Sequence, residues 1–457
     1  MTTDLRDDLR RLVRGTAADY LEIRVEEIEA AQLAYRGRDL ETVNRLQDFG
    51  GCVRALVRGG WGFSSFNNPD ELAERAADAV AAAALAADAG VRLAPVDPAE
   101  DDVPLRLGED PSAVPLAEKR AIFDRYAEIA TAHPAVATAL LRYGDQRRTT
   151  TLATSEGTLI RQARHDVTAY CAVTAGRDGD VQQASFSLGW LNDFRAVRDL
   201  EQQVAEVRDQ AVAFLDAPYA RSGEYPVVLD PVLAGVFVHE AFGHLSEADF
   251  VSEDERLREL MKLGKRFGRP HLNIVDGAAV PGLRGSFRYD DEGVPAQRTD
   301  LVRDGVLVGR LHSRESAARM GERPTGNARA INYRFPPIVR MTNTFIEPGA
   351  ASLEDLLADI ELGVYARSWY GGMTSFEMFT FSAGEAYMIR DGKVAELVRP
   401  VQLSGNLFVT LEQIDGIAGD LEMNQGGGCG KGGQVPLPVS NGSPHVRIAR
   451  CLVGGRA

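Results

Sequence analysis

The sequence predicts an α+β protein of two domains: an N-terminal α+β domain over residues 1–195, and a β-rich C-terminal domain over residues 196–457 that carries one helix with metal-ligand chemistry. Three observations lead there. The 457 residues exceed what a single hydrophobic core usually organises. Helical and strand-like periods alternate through the first part of the chain, the pattern of an α+β domain. After residue 270, short strand candidates broken by glycine dominate.

Taken in order, a helix is expected from about Asp4 to Arg14, followed by a strand at Tyr20–Ile28 in which Leu21, Ile23, Val25 and Ile28 are interleaved with charges. A hairpin is expected across Gly51–Arg58 and Trp61–Phe63, with Gly59-Gly60 supplying the positive φ of its turn. Asn68 as a cap and Pro69 at the first helical position start an alanine-rich helix that Gly90 stops, and its Ala81–Ala84 face suits close packing. Residues 95–115, with five prolines and six acids, read as a surface linker. A helix at about Leu116–Ala132 and strands at Val136–Arg142, Arg147–Thr154 and Val167–Val173 complete the first domain. A helix at about Val197–Leu215 then leads to a short buried strand, Tyr225–Leu229. Asp230-Pro231 has the form of a cap and N1 proline, and Leu233, Val236 and Phe237 recur at helical spacing. One further helix is expected near Leu353–Leu362.

Composition narrows the function. Lys plus Arg number 51 against 66 Asp plus Glu, a formal charge of −15 that repels phosphate backbones and anionic lipid surfaces. Nucleic acid and membrane are therefore not expected partners, and no run approaches the ~18 apolar residues of a membrane span. Asp4, Arg6, Asp7, Asp8, Arg10 and Arg11 leave no apolar stretch for a secretory signal near the start. Four cysteines in such a chain do not make a disulfide framework and fit a reducing, cytoplasmic setting.

Of seven histidines, two share one short window, His239-Glu240-Ala241-Phe242-Gly243-His244. Zinc peptidases of the H-E-x-x-H kind place both imidazoles on one helical face. Here the spacing is one residue longer, about 140° around an ideal helix of ~3.6 residues per turn, which aims the rings apart. Either His239 faces the core and His244 the solvent, or the helix widens to a π-turn or ends between them, which Gly243 would ease. A third ligand is on offer in Gly426–Gln434, where Cys429 stands among glycines beside Lys431, a neighbour that would favour its thiolate. Gly428, Gly430 and Gly433 match G-x-G-x-x-G, but Val435-Pro436-Leu437-Pro438 follows and no helix can start there; Gln425 and Gly432 also break the phosphate-loop pattern. Two imidazoles and one thiolate would leave a fourth tetrahedral position open, as catalytic zinc sites do.

The chain resembles the TldD/TldE (PmbA) metallopeptidases, and their TldD branch in particular. The residues that carry the likeness are His239-Glu240-x-x-x-His244 with Glu247 and Asp249, Asp291-Glu292-Gly293, Arg340-Met341-x-Asn343-Thr344, Gly384-Glu385-Ala386-Tyr387, Gly405, and Cys429-Gly430-Lys431-x-Gly433-Gln434. The resemblance implies Zn²⁺ held by His239, His244 and Cys429, with Glu240 as general base in the hydrolysis of unfolded or flexible peptides. Lys431, Glu247 and Asp249 are expected to support those ligands. It also implies a cytoplasmic protein that pairs with a TldE-like subunit as a heterodimer, or with itself as a homodimer. A non-catalytic, TldE-like scaffold subunit is the alternative.

The remaining candidates have plainer readings. His133, His165, His271, His312 and His445 read as structural or solvated, and Cys52, Cys171 and Cys451 as small buried hydrophobes. Asp291 and Glu292 could support the site, with Arg288 and Arg298 as equally good partners, and Phe376, Phe379 and Phe381 suit a half-buried strand.

Overall fold

The computed structural model describes residues 3–375 and 377–454; Phe376 lies outside the described residues. The N-terminal part is built on long strands: α1 (Thr3–Gly15), β1 (Tyr20–Arg36), β2 (Asp39–Val57), β3 (Gly60–Phe66), α2 (Leu72–Leu85), β4 (Glu100–Val103), α3 (Leu116–Ala130), β5 (Val136–Thr154), β6 (Leu159–Arg177), β7 (Asp180–Leu191) and α4 (Glu201–Asp216). They make one seven-stranded sheet in the order β3-β2-β1-β5-β6, with β4 and β7 both paired to β6. Neighbours are antiparallel except β4, which runs parallel to β6. A short strand thus stands where the composition suggested only a linker: its proline and acid content masked a four-residue edge pairing.

Three local outcomes differ from the sequence reading. The β2–β3 turn falls one residue earlier than expected, with Arg58 (φ +48°) and Gly59 (φ +76°) in the left-handed region and Gly60 already in β3. Val136–Arg142 and Arg147–Thr154 are one continuous strand, because Tyr143, Gly144 and Asp145 stay in register with β6. The helix after residue 195 packs on the N-terminal sheet, where Val204, Val207, Ala211 and Phe214 join Phe123, Tyr126 and Tyr143 in one core. A second core sits under α1 and α2, with Leu9, Val13, Ile23, Val53 and the buried alanine stripe Ala76, Ala79 and Ala83.

The C-terminal body holds two further sheets. In one, β8 (Gly223–Leu229) lies between the strands Leu362–Ser375 and Val446–Gly454, and Gln402–Asn406, Met378–Arg390 and Lys393–Val398 follow. Pairing of Leu362–Ser375 with Met378–Arg390 closes five of these strands into a ring. The other sheet has six strands, with Ile274–Gly277, Asn343–Ile346 and Ser440–Ser443 at its centre. Between the two sheets runs α5 (Pro231–Val238). Asp230 caps it, accepting from Leu233 N at 2.8 Å, and Phe237 packs edge-on against Phe379 and Phe381. Those two phenylalanines are core, as the sequence reading had it.

Buried charge joins the two parts. Arg54 of β2 pairs with Glu22 at 2.9 Å and reaches Glu292 of the C-terminal body at 3.3 Å. Arg24 of β1 approaches Asp291 at 3.3 Å and donates to the carbonyls of Asn332 and Phe335. Asp291 and Glu292 therefore clamp the domains together and take partners from the N-terminal sheet, not Arg288 or Arg298; Arg298 binds Asp300 and Glu347 instead.

Candidate metal centre

The helix that α5 begins does not continue as an α-helix. Residues His239–Gly243 form a π-turn, and the His244 backbone N–H donates to the His239 carbonyl, one residue further back than an α-helix allows. That widening cancels the 140° offset. The two imidazole rings meet edge to face with centroids 5.3 Å apart. Gly243 permits it sterically, since a Cβ there would lie 2.0 Å from the Met341 sulfur. A short 3-10 turn, His244–Ser246, then ends the helix.

Cys429 arrives from a different sheet. It is buried at the start of a two-stranded hairpin, Cys429–Lys431 against Gln434–Leu437. Among the described residues no helix follows to receive a phosphate, in keeping with the rejection of the nucleotide motifs. Arg340 donates to the carbonyls of Cys429 (2.8 Å) and Gln434 (3.1 Å), and Arg329 donates to that of Pro438 (2.6 Å). These two buried arginines fix the hairpin by backbone contacts; Arg340 belongs to the Arg340-Met341-x-Asn343-Thr344 run noted in the sequence, whereas no pattern singled out Arg329.

Among the described residues, His239, His244 and Cys429 form one cluster in which each offers a ligand atom and all such atoms lie within 4.8 Å of one another. Cys429 Sγ is 3.4 Å from His244 Nε2. Bonds of about 2.3 Å to sulfur and about 2.0–2.1 Å to nitrogen at a tetrahedral angle set that separation near 3.6 Å, so the pocket already has the size of a zinc coordination sphere. His239 Nδ1 is buried and has no hydrogen-bond partner, an unmet need of the kind a structural explanation must fill. Burial alone would push the Cys429 thiol up; the imidazoles of His239 and His244 outweigh it and bring the thiol down to about 5. The donor set thus fits a divalent metal that prefers nitrogen and sulfur.

Glu247, Asp249 and Lys431 cluster beside His244. His244 Nδ1 lies 3.0 Å from Glu247, whose carboxylate also accepts from Met341 N at 3.3 Å. Despite full burial, Glu247 is held down to about 2 by His244 and Lys431. Lys431 pairs with Glu247 at 3.1 Å and with Asp249 at 2.7 Å, and donates to the Val339 carbonyl at 2.9 Å. Its ammonium is thus spent on two carboxylates, and the imidazoles, not Lys431, make the thiolate. Glu240, about a third exposed, places Oε2 4.0 Å from His244 Nε2.

Models of all three domains described for this family match: PmbA/TldA metallopeptidase domain 1 over residues 21–87, the central domain over 109–215 and the C-terminal domain over 222–455. The chain belongs to the PmbA/TldA metallopeptidase family. It is 49% identical over 443 residues to a metalloprotease of Synechocystis sp., covering 96% of both chains. It is 32% identical to a zinc metalloprotease TldD homolog of Saccharolobus solfataricus, covering 96% of this chain and 97% of that one. The crystal structure of TldE from Thermococcus kodakarensis has the same fold, with a TM-score of 0.76 at 18% identity over 99% of this chain and 100% of that one.

The other histidines have ordinary protein partners. His165 bonds Asp145, His312 bonds Ser316 and Glu322, His445 bonds Asp420 and Tyr365, His271 meets the Ile414 carbonyl, and His133 accepts from Ala135 N. Cys52, Cys171 and Cys451 are buried and free.

Proposed function

We propose that this chain is a zinc-dependent peptidase of the TldD type that hydrolyses flexible or unfolded peptides. The observation that carries the reading is the convergence of two imidazoles and a thiolate beside a partly exposed carboxylate, Glu240, in a chain whose relatives bear metalloprotease names. His239, His244 and Cys429 would hold the ion, which when bound acidifies a water and polarises a carbonyl. Glu240 stands next to a ligand in sequence and in space, free to take a proton from that water and return it to the leaving amine. Glu247 holds the His244 ring and sets its tautomer by accepting from Nδ1.

Converting Glu240→Gln tests the assignment. The variant is expected to keep zinc, measured by elemental analysis, and to lose cleavage of a disordered peptide; undiminished cleavage would sink it. A TldE-like scaffold role is the second reading, favoured only by the shared fold. Pure protein with less than about half an equivalent of zinc would support the scaffold.

Two further features of the proposal are open to direct measurement. One is assembly, as a heterodimer with a TldE-like subunit or as a homodimer, read by light scattering with and without that subunit. The other is a cytoplasmic setting, which four free thiols favour; no helix among the described residues is long and apolar enough to cross a membrane.

A further inference from the structure

A cavity of about 1200 Å³ lies between the N-terminal sheet and the C-terminal body. Its floor is one face of the sheet, formed by alternate residues of β5 and β6 such as Arg142, Arg148, Arg164 and Asp166. Its roof comes from residues 278–291 and 427–438, so Gly427 and Gly428 line it immediately before the ligand Cys429. Such a volume exceeds a drug-sized pocket and has room for several residues of peptide.

The charge of this wall runs against that of the chain. The net charge is −15 overall, yet the lining carries seven arginines against four aspartates and neither lysine nor glutamate. Arg148 and Arg164 stand directly opposite one another on paired strands, an arrangement that costs stability unless anions compensate it. Each has one carboxylate, Glu26 at 2.5 Å and Asp166 at 2.7 Å. Arg142 and Arg288 are exposed, with no carboxylate partner among the described residues. Arg329 is buried and donates to the carbonyls of Met341 and Pro438, with no carboxylate hydrogen-bonded to it among the described residues. Burial, with Arg164 and Arg340 beside it, pulls its guanidinium down to about 9 against the opposing pull of Asp291 and Asp276.

We propose that this cavity binds the carboxylates of a peptide laid against the β5–β6 face, so that the chain prefers acidic segments or free C-terminal ends. The inference rests on the peptidase reading for its substrate class. A peptide with a few carboxylates fits better than a nucleic acid, because the acidic exterior opposes a long phosphate backbone.

The test is fluorescence anisotropy with the full-length Glu240→Gln chain and four labelled flexible peptides of equal length. One carries glutamates and an amidated C-terminus; one carries glutamines and a free C-terminus; one carries glutamines and an amidated end; one carries lysines. A carboxylate-bearing peptide is expected to bind about tenfold more tightly than the neutral amidated one, with the advantage shrinking at high salt. Whether the glutamate or the free-end peptide gains separates acidic segments from chain ends. The advantage is expected to vanish in the R142A/R288A double variant, whose two sites are exposed and whose circular dichroism reports folding.

Equal affinity for all peptides, an advantage that survives in the double variant, or an oligothymidylate that outcompetes the glutamate peptide would overturn the assignment. Cleavage of the same peptides by the unaltered chain is followed in parallel. Cleavage without carboxylate preference overturns the cavity assignment and leaves the peptidase reading intact. Carboxylate binding with no cleavage of any peptide does the reverse.

Discussion

His244 turns its Nδ1 to the buried Glu247 carboxylate at 3.0 Å and its Nε2 to the Cys429 sulfur at 3.4 Å. One imidazole thereby joins the proposed ligand set to a carboxylate that Lys431 and Asp249 hold in turn.

Removing that support is expected to cost both metal and stability. For Glu247→Ala, the zinc dissociation constant is predicted to rise about 10- to 100-fold, because the His244 ring loses its tautomer and its anchor. Lys431 keeps Asp249, so urea unfolding is expected to show a loss nearer the lower end of the range for a broken buried pair, about 3 kcal/mol. A competition titration with a chromogenic chelator checks the first figure.

The π-turn makes a steric prediction. Gly243→Ala sets a methyl 2.0 Å from the Met341 sulfur in a fully buried place. Overpacking of this kind costs about 1–3 kcal/mol. A lowered melting temperature together with reduced zinc content is expected; unchanged values for both would show that the Met341 side chain yields to the methyl.

The turn was legible in the chain to an unusual degree. A spacing of five between His239 and His244 leaves few ways to bring both rings to one point, and Gly243 stands inside the interval. Strand existence was readable from alternation, but strand length was not. The Asp39–Gln47 arm of β2 is largely solvent-exposed, and its apolar residues Leu40, Val43 and Leu46 fall three apart, so no strand alternation marks its pairing with β1. The short helix Arg314–Met320 escaped notice although Ser313 and Ser316 build a capping box, since serine at the third position is a weak signal. Partners such as Arg54 and Glu292, 238 residues apart, meet only through the docking of two parts of the chain.

That docking yields a third prediction. Arg54 is buried between Glu22 and Glu292, and its guanidinium stacks 4.2 Å above Trp61. Arg54→Ala strands two carboxylates away from water, and a loss of about 3–5 kcal/mol is expected by chemical denaturation. A loss below 1 kcal/mol would mean that water reaches the junction.

The fourth prediction concerns acid. Burial alone would raise the Asp145 carboxyl, but hydrogen bonds from His165, Lys119 and Tyr143 outweigh it and hold it below the usual range. A carboxyl lowered on folding stabilises fully above its unfolded value of ~3.9, and that contribution fades as pH falls through the lower folded value. The stability gap between the parent chain and Asp145→Asn is therefore expected to be constant from pH 5 to 7 and to narrow below pH ~4. Urea midpoints measured across that range check it; a gap that widens in acid would refute it.

The separation of 185 residues between His244 and Cys429 bears on how the protein is made. Synthesis runs from the N-terminus, and the two histidines leave the ribosome long before the thiol that completes their triangle. A nascent or prematurely ended chain can display the imidazoles and the carboxylate of Glu240 yet lack the sulfur. Under the peptidase reading, the enzyme stays inert toward neighbouring unfolded chains, its own included, for most of its birth.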